Sequence, residues 1–142
     1  MRWLLDTCTL SEPVRARPDA GVMRWLEQHA DAAAISSASF GEIHYGLASL
    51  APSARRNQLQ AWALALGQQF EGRTLPADEA VWRQWGGLKA SLRVIGRMQD
   101  ALDLVVAATA LHHGLTLVTR NTRHFQDTGV RLVNPWGGDS AS

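Results

Sequence analysis

The stretch DALDLVVAATALHHGLTLVT, residues 100–119, constrains the fold more than any other part of the chain. Residues 100–113 read as a strongly apolar helix, closed by Gly114 at a C-cap position. LTLVT at 115–119 then reads as a strand: an apolar run with a polar stop. A helix that is apolar on nearly all sides needs cover from more than one direction. The pair therefore belongs in a layered core.

The same alternation recurs along the chain. Residues 2–6 predict a short buried strand, 20–30 a helix with Val22, Trp25 and Leu26 at helical spacing, and 32–36 a second strand. Residues 39–50 place Phe40, Ile43, Leu47 and Leu50 on one helical face, and Pro52 breaks that helix. A helix over 53–70 is striped by Leu59, Trp62, Ala63 and Leu66. GRTLP gives a brief extended piece, and the helix over 78–95 carries Val81, Trp82, Trp85, Leu88 and Leu92. VRLVNPW at 130–136 predicts the last strand. No Asn-Gly hairpin signal interrupts the series. Strands alternating with helices predict an α/β fold, with a mostly parallel central sheet and helices on both faces. At 142 residues and 46% apolar composition, a single domain over 1–136 can bury a real core, leaving GGDSAS at 137–142 as a tail expected to be disordered.

In open α/β sheets, ligands bind beyond the carboxyl ends of the strands. Asp6 ends the first strand, and Thr119, Arg120 and Asn121 end the LTLVT strand, so they should face one edge. Helices add Glu42, Asp100 and Asp103. Each acid has a structural reading as well. Ser39-Phe40-Gly41-Glu42 matches the S-x-x-E capping box, so Glu42 can serve as a cap. Asp100 reads as an N-cap. Asp103 is harder to dismiss, because Leu102, Leu104, Val105 and Val106 make its turn nearly all apolar. Burying a lone carboxylate costs several kcal/mol unless it is paired. Asp6 faces the same difficulty, and two such acids from distant segments suggest a shared cation. Carboxylates and an amide oxygen, without a His or Cys cluster, are hard ligands suited to Mg²⁺, with Mn²⁺ as the alternative. Such a metal is common machinery for cutting phosphodiesters.

With these motifs in place, the chain resembles the PIN-domain ribonucleases of the VapC and FitB-like toxin type. The resemblance is carried by LLDTCTLSE at 4–12, SSASFGEIHYGL at 36–47 and DLVVAATALHHGLTLVTRNTRHF at 103–125. It implies a three-layer α/β/α PIN fold and a Mg²⁺-dependent endoribonuclease, the toxin of a type II toxin–antitoxin pair. It makes Asp6, Glu42 and Asp103 the first three family acids. Asp6 and Asp103 would hold the metal directly, and Glu42 would bind it through water or orient the attacking water. Asn121 takes the fourth position, while His124 stands where many relatives carry an Asp before Phe. Both depart from the pattern and favour one tightly held metal ion over two. Thr119, Arg120 and Arg123 would position substrate. The partners implied are RNA, a cognate antitoxin protein that blocks the acidic site, and a second copy in a homodimer.

Other readings compete with this one. Cys8, the only cysteine, could be a nucleophile with His44 or His124 as its base, but a small packing residue is the simpler account. A haloacid-dehalogenase-like phosphatase wants a second Asp two residues after the first, where Cys8 stands. A receiver domain wants a late Lys, and the one Lys, Lys89, lies mid-chain. A non-catalytic RNA- or partner-binding module with an incomplete acidic site remains the main alternative. Thirteen arginines nearly balance the acids at a net charge of +1, so no strong overall field draws the chain to nucleic acid or membrane. With one Cys, no apolar run near 20 residues and no leader pattern, the expected location is the cytoplasm.

Overall fold

The computed structural model describes residues 1–97 and 99–137. The chain runs through β1 (Trp3–Leu5), α1 (Thr7–Ser11), α2 (Ala20–His29), β2 (Ala33–Ser36), α3 (Ser37–Ala48), α4 (Ala54–Gln69), β3 (Thr74–Leu75), α5 (Glu79–Val94), α6 (Ala101–His113), β4 (Thr116–Val118) and β5 (Leu132–Val133). The strands pair in the order β3-β2-β1-β4-β5, and every pairing is parallel. Parallel neighbours need crossovers, which the helices supply.

Register explains the layers. Leu4 pairs with Ala34 and Leu117, and all three pack with Leu88, Leu92, Leu104 and Ala107 of α5 and α6. One step along, Leu5 pairs with Ile35 and Val118, and these face Trp25, Ile43, Leu47 and Leu66 of α2, α3 and α4. Strand side chains alternate between faces, so β1 is apolar throughout because both faces are covered. Each fully buried Leu of this set contributes about 1.5–3 kcal/mol. The α/β/α architecture is therefore as expected, with a sheet that is wholly parallel among the described residues.

Several boundaries differ from the sequence reading. A short helix, α1, begins immediately after Asp6, where no helix is predicted. The last strand spans two residues instead of 130–136. Leu50 lies past the end of α3 and is 41% exposed, and Trp82 on α5 is 47% exposed, so neither belongs to the core stripe assigned to it. Gly114 caps α6 in the left-handed region at φ 66°, which returns the chain directly into β4. The tail expected at 137–142 falls, beyond Gly137, outside the described residues.

Candidate active site at the strand ends

The carboxyl ends of β1, β2 and β4 meet at one edge. Asp6 follows β1, and its backbone N–H still donates to Val118 O at 3.0 Å, so the residue is locked to the central strands. Its side chain is 5% exposed. Oδ1 accepts from the Thr7 backbone N–H at 2.9 Å and caps α1. Oδ2 accepts from the Thr119 hydroxyl at 2.8 Å and faces the Cys8 thiol at 3.7 Å. These neutral donors make burial of the charge tolerable. Among the described residues, no Lys or Arg pairs with it.

Glu42 reaches the same edge from α3. The capping-box reading fails, because α3 starts at Ser37 and its cap is Ser36, whose Oγ accepts from Ala38 N–H at 3.1 Å. Ser39 is buried inside the helix. Glu42 is thereby freed to reach across the chain, where its Oε1 accepts from the Thr7 hydroxyl at 2.7 Å. Thr7 thus fixes both acids, one through its backbone and one through its side chain. Burial raises the Glu42 carboxyl above its usual range; the Thr7 hydrogen bond opposes the rise, and the Asp6 and Asp100 charges add to it.

Asp100 is the N-cap of α6, with Oδ1 accepting from Leu102 N–H at 2.9 Å and Asp103 N–H at 3.3 Å. Asp103, in the first turn, is left to face the other acids. Burial, then the Asp6 and Asp100 charges, push its carboxyl from an ordinary 3.8 up to about 6; His124 pulls it down and Glu42 adds to the rise. His124 Nδ1 lies 3.3 Å from Asp103 Oδ2. The residue that departs from the family pattern is thus in contact with an acid of the site.

Thr119 is fully buried, and its hydroxyl also accepts from Asn121 N–H at 3.0 Å. Asn121 is exposed and makes no side-chain cap on the turn that follows it. Arg120 lies over the Trp136 ring at 5.7 Å, and Arg123 is exposed; neither forms an ion pair among the described residues. Cys8 packs at the strand end, with its Sγ against both Asp6 and Thr119 Oγ1, the latter at 3.6 Å. Burial, with the Asp6 charge behind it, raises the thiol above its usual range. A thiol kept protonated donates to Asp6 and does not attack. Thr7 was missed altogether. Its only signal in the sequence was its place directly after Asp6.

Three acids therefore share one edge, where burial and mutual repulsion are only partly offset by Thr7 and His124, and the donors around them are mainly oxygens. That chemistry fits a hard divalent cation. Among the described residues no three such side chains are already closed around a single point. Beside the acids runs a groove of about 350 Å³ that begins at Thr7 and Glu42 and continues over Ile43, Leu47, Leu59 and Trp62. Arg55 borders it and donates to Val14 O.

Comparison with known proteins gives one consistent picture. The sequence model of the PIN domain matches residues 3–130. "VapC ribonuclease Y4jK" of Sinorhizobium fredii is 33% identical over 138 residues, covering 94% of this chain and 96% of that protein. "Toxin FitB" of Neisseria gonorrhoeae is 33% identical over 135 residues, covering 94% and 97%. The crystal structure of FitAcB from Neisseria gonorrhoeae superposes with a TM-score of 0.88 at 33% identity, covering 95% of this chain and 99% of that one.

Proposed function

The chain belongs to the PIN-domain family, and from that premise we propose that it is a metal-dependent endoribonuclease of the VapC/FitB toxin type. One observation carries the reading: Asp6, Glu42 and Asp103 arrive from three separate segments at one sheet edge, where burial first, and then the neighbouring acid charges, push the Asp103 carboxyl up to about 6. The ribonuclease name of one relative supports RNA as the substrate.

Asp6 and Asp103 would hold Mg²⁺, with Mn²⁺ as a substitute, and Glu42 would act through a water. The ion supplies charge stabilisation at the phosphoryl oxygens and a more acidic water. The protein's own contribution is orientation and proton management. Thr119 aims Asp6 Oδ2, and Thr7 aims Glu42 Oε1. Asp103, protonated in part near neutrality, would have to be ionised to hold a cation. Glu42, with a raised carboxyl, is suited to accept a proton from an attacking water. Arg120 and Arg123 would meet flanking phosphates, and Asn121 would hydrogen-bond substrate.

The same reading gives the chain an antitoxin partner, as the toxin name of the FitB relative suggests. The apolar groove that ends on Glu42 suits a partner segment that lays apolar side chains over Leu47 and Trp62 and brings a cation to the acids. Homodimerisation through exposed apolar side chains such as Trp82 and a cytoplasmic location complete the proposal. Titration with Mn²⁺, followed by electron paramagnetic resonance, tests the metal centre. Wild type should bind one ion, and Asp103→Asn should bind at least tenfold more weakly. RNA binding without any Mn²⁺ or Mg²⁺ binding would favour the non-catalytic module, which Asn121 and His124 in place of acids would suit.

A further inference from the structure

A second cavity, of about 540 Å³, lies where α2 overhangs β1, β4 and β5, toward the end of the sheet opposite the acids. Its lining holds three arginines, Arg2, Arg24 and Arg131, and no carboxylate. Among the described residues none of the three is in an ion pair. Arg131 is pinned by its hydrogen bond to Gly114 O at 2.9 Å. Arg2 lies over the Trp3 ring at 4.7 Å, and Arg24 stands exposed on α2. Aromatic rings form part of the wall. Trp3 meets Trp25 edge-on at 5.2 Å, and Trp25 stacks on His29 at 4.4 Å. Guanidinium groups outside any ion pair, set beside ring surfaces, are what a phosphate and a nucleobase together require.

The cavity is also joined to the acid edge. Trp3 and Asp6 are separated by one strand only, about 10 Å at ~3.3 Å per residue. The end of β5 and the segment after it lie between the two places: Thr119 N–H at the acid edge donates to Val133 O at 2.9 Å, Val133 and Pro135 line the cavity, and the Trp136 ring lies under Arg120, which follows β4. The β5 side therefore belongs to both places, to the cavity through Val133 and Pro135 and to the acid edge through the Val133 carbonyl. We propose that this cavity holds single-stranded RNA a few nucleotides away from the scissile phosphate, with phosphates on Arg2 and Arg24 and a base against the Trp3 and His29 rings. The assignment rests on the ribonuclease reading above and gives it a substrate class: single strands long enough to reach both places.

The test uses fluorescence anisotropy with oligouridines of about 20 and about 4 nucleotides, on full-length protein carrying Asp6→Asn so that nothing is cut. Adding Arg2→Gln and Arg24→Gln should weaken the long strand by roughly tenfold and reduce the slope of log affinity against log salt by about 1.4, or about 0.7 per lost phosphate contact. The short strand should bind as before. In the cleaving protein the same pair should raise KM for the long strand and leave kcat unchanged. Equal affinity and slope for the long strand, or equal losses on both lengths, would overturn the proposal. Saturable binding of uridine monophosphate that depends on these arginines, with long-strand binding unaffected, would make this a free-nucleotide site and also overturn it. If wild type fails to cut RNA while the length-dependent loss persists, the acid-site reading falls and the cavity assignment stands.

Discussion

Asp103→Asn should stabilise the metal-free protein at high pH while it destroys the metal site. The wild-type carboxyl moves from an ordinary 3.8 to about 6 on folding. The folded state thus binds its proton more tightly than the unfolded chain, so stability is lost as pH rises between those two values. The whole shift corresponds to about 3 kcal/mol. The side chain is 21% exposed, so solvent screening lowers that to nearer 1–2 kcal/mol. Asn also gives up the favourable interaction of a charge with the first turn of α6, worth about 0.5 kcal/mol. A net gain of about 1 kcal/mol should remain at pH 8, or roughly 3–4 °C in Tm. Below about pH 4 both proteins are neutral at this position, and the difference should vanish. Thermal unfolding in EDTA across this pH range is the assay. Mg²⁺ should then reverse the order, raising wild type by mass action and leaving the variant unmoved. A variant less stable than wild type at pH 8 without metal would refute the claim that Asp103 stands in an unfavourable field.

Other substitutions probe the supports of the site. Thr119→Val keeps the shape and removes the donor to Asp6 Oδ2; chemical denaturation should show a loss of about 1–3 kcal/mol, with weaker Mn²⁺ binding beside it. Cys8→Ala should retain metal-dependent cleavage, because the thiol is a donor and not a nucleophile; loss of all cleavage in a folded Cys8→Ala protein would restore the thiol mechanism. Since burial raises that thiol, its alkylation should be slow at pH 7 and accelerate well above the usual thiol range. His124→Ala removes the group that pulls the Asp103 carboxyl down, so an NMR titration should find that carboxyl higher still.

Much of this architecture was written in local patterns. The apolar turn around Asp103 gave away both a buried helix and an acid in the wrong solvent, and LTLVT with its polar stop located the sheet edge. Where the reading missed, tertiary contacts outweighed local propensity. TCTLS carries two β-branched threonines and reads poorly as helix; it becomes α1 because Asp6 caps it and Thr9 Oγ1 donates to Val118 O at 2.8 Å. The S-x-x-E pattern at Ser39 was a false cap, since Ser36, three residues earlier, is an equally good one and sits where β2 ends. The contacts of His124 with Asp103 and of Cys8 with Thr119 join residues far apart in the chain, and no spacing rule reaches them. The arginine and tryptophan cavity is illegible for the same reason, drawing on both ends of the sequence and on α2.

If these acids hold the metal that cuts RNA, Asp6→Asn should remove cleavage and leave the fold in place. Asn is as good an N-cap as Asp, so α1 keeps its start. Its amide can still meet the Thr119 hydroxyl, which is able to accept as well as donate. The variant should therefore fold, and melt no lower than wild type. With both proteins purified free of host nucleases and the cleaved RNA ends mapped, wild type should cut at defined positions with Mg²⁺ and not with EDTA, and Asp6→Asn should cut at none of them. Equal cutting by the two proteins at the same positions would contradict the account.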